Sequence, residues 1–306
     1  MPIYLYIFYY LIFPGFAFAV ILGLMAGWVD RKVTARIHWR QGPPWYQNFV
    51  DIIKLFSKEV IIPDGASYAF LLAPLLGLLA ASLAAATVGV AFIDGEAGFV
   101  GDLIVLFYLL AIPALALIMG ASSSRNPLAS IGAGREIKML LGYELPIIII
   151  LLTVIVRSDG SIRLGEIIQS QAAGGSYIAS LSGLLGFIVG VLCIQAKLGF
   201  VPFDAAEAEQ EIMGGAYIEY SGGAYALFKL TEAVMLYTLP LFLILLFWAG
   251  SLNPLALIGK YVVILVLIIL IKNTNPRLKV GQALRFFWGP VTLLALLSLI
   301  LAFMGF

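Results

Sequence analysis

Eight stretches of this chain, near residues 3–29, 68–93, 103–120, 139–156, 177–196, 222–249, 255–271 and 286–303, are apolar over about the length a helix needs to cross a bilayer. Runs of this length predict membrane-crossing helices, whose backbone groups are satisfied within the segment. With 62% hydrophobic and 11% charged residues the chain lies far from the roughly 25% charge of a soluble domain. The expected fold is an all-α membrane protein: one membrane domain over residues 1–306, with eight transmembrane helices plus one cytoplasmic interfacial amphipathic helix.

The loops between these runs alternate in charge. One side receives Arg31, Lys32, Arg36, Arg40, Lys54, Lys58, Arg125, Arg135, Lys138, Lys197, Lys272, Arg277, Lys279 and Arg285, fourteen of the eighteen basic residues. The other receives Arg157, Arg163 and Lys260, and Lys229 falls inside a run. The positive-inside rule makes the rich side cytoplasmic. Both termini then face outward in a multi-pass protein of the cell membrane, and the acidic loop at 198–221 is cytoplasmic. The first run has no basic start and exceeds a signal h-region, so no cleavable signal is expected.

Residues 43–60 predict the interfacial helix. On a 3.6-residue wheel Trp45, Phe49, Ile52, Ile53, Phe56 and Val60 share one face, and Gln47, Asp51, Lys54 and Lys58 the other. Pro43 and Pro44 suit a helix start, and an apolar stripe opposite lysines suits a helix lying in the membrane surface. Within the runs Pro113 and Pro146 each remove a ladder hydrogen bond, which protein or water must then compensate.

Several chemistries are excluded. One cysteine, Cys193, and one histidine, His38, leave no set for zinc, an iron–sulfur cluster or a Ser-His-Asp triad, so neither catalytic residues nor a metal site is expected. A net charge of +1 offers nothing to nucleic acid. Gly132-Ala-Gly134-Arg135 lacks the strand and Lys-Ser/Thr of a phosphate loop. Gly186 and Gly190 read as close helix packing. Tyr4, Tyr6, Tyr9 and Tyr10 read as an interfacial belt. No internal repeat of the inverted-transporter kind is evident.

Function is expected where charge is most costly. Between Lys197 and Lys229 stand five carboxylates, Asp204, Glu207, Glu209, Glu211 and Glu219, without one Lys or Arg. Carboxylates near membrane depth most readily serve protons, ions or a docked partner. Asp204 and Glu207 read as a capping-box-like helix start. Glu207 and Glu211, four apart, fall on one helical face, with Glu209 turned away, so one of the pair is expected to hold a proton. Lys229 and Glu232, three apart, are expected to pair inside a span beside Tyr225. Glu144, next to Gly142 and Pro146, is expected where a broken helical ladder admits water.

The segment Pro202-Phe-Asp-Ala-Ala-Glu-Ala-Glu-Gln-Glu211 with Glu219-Tyr-Ser-Gly222 resembles the membrane anchor subunit of the complex I family, the H subunit of the bacterial complex. Arg31-Lys-Val-Thr-Ala-Arg36, Asp51-Ile-Ile-Lys-Leu-Phe-Ser-Lys-Glu59 and Gly142-Tyr-Glu-Leu145 agree in order, and the resemblance spans nearly the whole chain. It implies an eight-span protein joining a peripheral redox arm to antiporter-like subunits, with Glu144, Glu207, Glu211 and Glu219 on buried acid positions. Arg31 and Arg36 match its cytoplasmic basic positions. Complex I members carry a longer Gly-Pro-rich insertion where this chain runs Gly42-Pro-Pro-Trp-Tyr-Gln-Asn48. The shorter form resembles the homologous anchor, the M subunit, of membrane-bound group 4 nickel–iron hydrogenases and sulfane sulfur reductases, which need no quinone.

The reading that results is a non-catalytic anchor and coupling subunit of an ion-pumping oxidoreductase complex, moving H⁺ or Na⁺. Coupling is expected at Glu144, Glu207, Glu211, Glu219, Lys229 and Glu232. Docking of the peripheral arm is expected at Arg31, Arg36, Arg40, Lys54, Lys58 and Asp204. The chain is expected to hold no cofactor; iron–sulfur clusters and a nickel–iron site would reside in the partner subunits, a peripheral iron–sulfur subunit and a large hydrogenase-like one. Alternatives are a quinone-binding complex I subunit and a stand-alone secondary ion transporter.

Overall fold

The computed structural model describes residues 8–306 apart from Asp94, Glu96, Ala97 and Leu252, and apart from the side chain of Glu209. Tyr4, Tyr6 and the first residues of the expected first span lie outside the described residues. Among the described residues the chain is all helix, without strands. The long elements are α1 (Phe16–Ile37), α2 (Gln47–Phe56), α3 (Ala69–Ile93), α4 (Asp102–Ser123), α5 (Pro127–Arg157), α6 (Leu164–Gly174), α7 (Leu181–Lys197), α8 (Gly222–Phe247), α9 (Pro254–Thr274) and α10 (Val280–Phe303). A π-helical turn at Phe287–Val291 lies within α10.

Among the described residues seven helices are long and apolar enough to cross a membrane, counting Phe8–Ile12 with α1. The expected run at 177–196 instead forms a 3₁₀ turn, Tyr177–Ala179, and then the 17-residue α7, whose start is capped by Ser180 accepting from the Gly183 amide at 3.1 Å. The run expected at 139–156 begins twelve residues earlier, because Asn126 caps the Leu128 amide at 2.8 Å and Pro127 suits the first turn. Arg135 and Lys138, expected in a loop, therefore ride on α5.

Helix α8 is the post of the bundle. It is buried over most of its length, whereas most of α9 is exposed or half-buried. A helix apolar all round belongs inside, and α1, α3 and α7 pack around α8. On one side α3 and α4 form a close hairpin, helped by small residues such as Gly77, where an added Cβ would lie 3.4 Å from that of Ala116. On the other, α5, α7 and α10 pack together. Gly186 and Gly190 on α7 make room for Phe247 and Leu243 of α8. The amphipathic α6, unforeseen in the sequence, buries Leu164, Ile167, Ile168 and Gln171. Gln171 donates to the Leu245 carbonyl at 2.8 Å and the Leu246 carbonyl at 3.1 Å, and accepts from the Ala249 amide. It thereby satisfies orphan carbonyls at the end of α8.

Helix α2 is shorter than the expected 43–60, and its stripe divides. Phe49 and Ile52 pack against the core, while Trp45, Ile53, Phe56 and Val60 remain exposed. The cause is polar: Asn48 donates to the Leu24 carbonyl at 2.9 Å, and Arg31 donates to Asn48 at 2.6 Å and Asp51 at 3.1 Å. Asp51, assigned to water by the wheel, is thus drawn toward α1.

Candidate functional site

The acidic loop lies across the ends of α5 and α8. It is fastened to α5 where two backbones meet: a Cβ on Gly132 would fall 2.5 Å from the Ala216 amide. Gly215, at φ +52, tolerates the left-handed turn this requires, and its Cβ would strike the Ala206 carbonyl at 2.1 Å. At the other end a Cβ on Gly222 would meet the Glu59 carbonyl at 2.4 Å, and Ser221 accepts from the Ile61 amide at 3.0 Å. The Gly132 segment is therefore a packing seat for the loop.

Within the loop the helix expected through Asp204, Glu207 and Glu211 is broken. A 3₁₀ turn covers Ala205–Glu207, Ala208 is extended, and one helical turn covers Glu209–Ile212. Asp204 makes no cap; its carboxylate is gripped by Arg277, whose Nε donates at 2.9 Å and whose Nη2 makes a second bond. Glu211 pairs with Arg135 at 2.5 Å and is half exposed. Glu207 and Glu211 thus do not share a helix face, although both border an outer cleft of about 540 Å³. The expected reason for one of the pair to hold a proton, their repulsion on a common helix face, does not hold. Glu207 instead responds to its surroundings: burial first, then Glu232, push its carboxyl up to about 8. Glu136 and Asp204 add to this, and Lys229 opposes it.

Glu207 also borders an inner cavity of about 60 Å³, together with Glu136 of α5, Lys197 at the end of α7 and Glu232 of α8. Lys229 and Glu232 pair as their spacing predicts, at 2.7 and 2.8 Å. The Lys229 ammonium lies 5.2 Å from the Tyr217 ring centroid and 5.4 Å from that of Tyr225. Glu232 and Lys229 also border a third cavity, about 240 Å³, between α1, α2 and α8. Asp30 of α1 lies in that wall and pairs with Lys272 of α9 at 2.7 Å.

Lys197 is not the exposed loop cation its position suggested. Its side chain is 3% exposed and donates to Glu144 of α5 at 2.7 Å. It also faces the rings of Tyr143 and Phe107. Glu144 therefore holds a lysine where water was expected. Its second oxygen and the Tyr143 hydroxyl are buried without a partner among the described residues. Lys197 borders both the 60 Å³ cavity and an apolar one of about 30 Å³ near Cys193. The cavities and ion pairs thus form a sequence from the loop inward: Glu207, then Glu136 and Glu232 across the cavity, then Lys197 and Glu144.

Two assigned groups stand apart. Glu219 accepts from Asn126 at 2.5 Å, tying the loop to the α5 cap. Arg36, Arg40, Lys54 and Lys58 lie toward the end of α1 and on or beside α2, with no ion pair among the described residues. Sequence reasoning missed Glu136, Asp30 and the burial of Lys197. Glu136 sits between Arg135 and Lys138 and reads as part of a solvated charge run. The available signal was its spacing of eight from Glu144, which places both on one side of α5. No cluster of three metal-ligating residues occurs among the described residues.

Spanning-length apolar helices enclosing ion pairs, that of Lys197 and Glu144 buried and that of Lys229 and Glu232 partly so, define a multi-pass membrane protein. Residues 10–303 match the NADH dehydrogenase family, and the chain belongs to it. It is 31% identical over 305 residues to the H subunit of an NADH-quinone oxidoreductase from Dehalococcoides mccartyi strain CBDB1, covering 94% of this chain and 83% of the relative. It is 32% identical over 314 residues to the H subunit of the F(420)H(2) dehydrogenase from Methanosarcina mazei, covering 92% and 88%. A chain in the solved structure of the membrane-bound sulfane sulfur reductase, an archaeal respiratory membrane complex, superposes with a TM-score of 0.85 at 31% identity, covering 94% of this chain and 96% of that one.

Proposed function

We propose that this chain is the membrane anchor and coupling subunit of a respiratory oxidoreductase complex of the sulfane sulfur reductase or membrane-bound hydrogenase type, converting charge changes at a peripheral arm into H⁺ or Na⁺ movement. The observation that carries this is the shared inner cavity, where Glu207 from the loop meets Glu232 and Lys197 from the bundle. Low dielectric leaves interactions between such groups poorly screened, so a charge change at Glu207 reaches the Lys229–Glu232 and Lys197–Glu144 pairs. A buried polar atom left without a partner costs about 1–3 kcal/mol. Glu144 has one oxygen without a partner among the described residues and so retains capacity to receive a proton. Redox cofactors fall to partner subunits.

In this reading α7 is the eighth span and α2 lies in the membrane surface. The basic side is cytoplasmic and both termini face outward. Arg36, Arg40, Lys54 and Lys58 present their charge to the peripheral arm, with Arg31 and Asp204 fixing the surface they share. The antiporter-like subunits adjoin in the membrane.

The test is ion uptake per electron in sealed vesicles containing the assembled complex. Glu144→Gln should lower that ratio far more than it lowers electron transfer or subunit content, and an unchanged ratio would leave Glu144 structural. The quinone-reducing reading draws on the cavity of about 240 Å³ between α1, α2 and α8. Quinone-depleted membranes should keep electron transfer to a soluble acceptor; activity restored only by quinone would favour that second reading.

A further inference from the structure

A cleft of about 560 Å³ opens between α5, the acidic loop and the start of α10, bordered by Arg135, Lys138, Arg277 and Lys279, by one carboxylate, Glu211, and by Ile131 and Val280. Arg135 and Arg277 already hold Glu211 and Asp204 of the acidic loop. Lys138 and Lys279 are exposed and have no carboxylate partner among the described residues. The cleft therefore keeps a surplus of positive charge.

What lies below the cleft identifies the ligand. Lys138 heads a helical stripe, Leu141, Leu145, Ile148 and Leu152, whose steps of three and four keep it on one face of α5. Those four side chains are 58%, 43%, 42% and 45% exposed, on a helix of spanning length. Trp288 of α10, 56% exposed, donates its indole N–H to the Leu141 carbonyl at 3.2 Å. Tryptophan settles at the level of lipid headgroups, so the lysines stand at headgroup height with an apolar track beneath them.

We propose that this cleft binds an anionic membrane phospholipid, its phosphate between Lys138 and Lys279 and its chains along the α5 stripe beside Trp288. Free phosphate would meet the cations but gain nothing from the stripe, and an acidic protein segment would not follow the stripe into the span. Basic pockets between spanning helices bind anionic headgroups in this way. The same two arginines that border the cleft hold the acidic loop, so the lipid headgroup would lie beside Glu211, whose charge Arg135 offsets. The inference does not depend on the coupling role, only on the chain spanning a bilayer.

The test is native mass spectrometry of the intact, detergent-solubilised and delipidated complex, titrated with phosphatidylglycerol or phosphatidylcholine. Wild type should retain one phosphatidylglycerol in preference to phosphatidylcholine. Lys138→Gln with Lys279→Gln should weaken that retention by about fivefold per lysine and roughly thirtyfold together, and the Lys→Arg pair should restore it. Neither lysine has a carboxylate partner to lose among the described residues, so subunit content should be unchanged. Equal retention of the two lipids, retention unaltered in the double variant, or displacement of the lipid by an equal concentration of inorganic phosphate would each overturn the proposal. Assembly and ion uptake per electron report on the coupling role separately.

Discussion

Glu207 and Glu232 border one small cavity from opposite sources, the acidic loop and the most buried helix of the bundle. Their proximity contributes to the rise of the Glu207 carboxyl to about 8. The unfolded carboxyl ionises near 4.5, while the folded one keeps its proton until about 8. The stability this group supplies is therefore complete at low pH and is lost as pH rises through that window. Glu207→Gln should raise the thermal unfolding temperature of the complex at pH 9 relative to wild type and leave it nearly unchanged at pH 4. An equal gain at both values would mean that packing, not ionisation, separates the variants.

Glu136 faces the same cavity from α5, the helix that carries Glu144 two turns further on. If protons pass between the loop and Glu144, Glu136→Gln should slow ion uptake by about tenfold, a decade short of the ~100-fold in rate that a positioned proton-transfer group contributes at the low end. Glu136→Asp should recover part of it. Uptake unaffected in Glu136→Gln but lost in Glu144→Gln would remove Glu136 from the path and leave the path itself standing.

Helix α2 has two working sides. Asn48→Ala would strip the Leu24 carbonyl and Arg31 of a partner, at a cost of about 1–3 kcal/mol. Proteolysis of the 38–60 segment in intact membranes should quicken accordingly. Ile53→Asp leaves those bonds in place and should instead reduce contact with lipid, read as loss of the peripheral arm on washing. If Ile53→Asp has no effect on either readout, the exposed side of α2 does not rest on the membrane.

Apolar run length made most of the bundle legible, because lipid-exposed helices need little beyond length and composition. Helix α7 was placed but not its shortness, since a 3₁₀ turn at Tyr177 is invisible to hydropathy. Local spacing gave Lys229–Glu232 correctly, both residues lying on one continuous helix. It failed for Glu207 and Glu211, where Gly132 and Gly215 impose a close backbone contact that breaks the helix. Charge counting also misjudged Lys197, and Glu136 went unread among its charged neighbours. A cation or carboxylate at a helix end reads as solvated until its partner, here more than fifty residues away for Lys197, is brought to it by the fold.

The seat of the acidic loop on α5 offers the sharpest separation of structure from charge. Gly132 meets the loop backbone, with Ala216 N 2.5 Å and the Gly215 carbonyl carbon 2.9 Å from any added Cβ. Gly134, two residues on, meets nothing within 4 Å. Alanine at either position favours helix by about 1 kcal/mol over glycine, so the two variants differ only in what the methyl group touches. Gly134→Ala should leave assembly and coupling intact and raise stability slightly. Gly132→Ala must push backbone, which cannot yield as a side-chain tip does, so the loop should lift and carry Glu207 away from Glu136 and Glu232. The expected result is a complex that assembles with reduced ion uptake per electron and loses the pH dependence contributed by Glu207. If Gly132→Ala behaves like Gly134→Ala in both measurements, the loop does not need this seat to hold its carboxylate in the cavity.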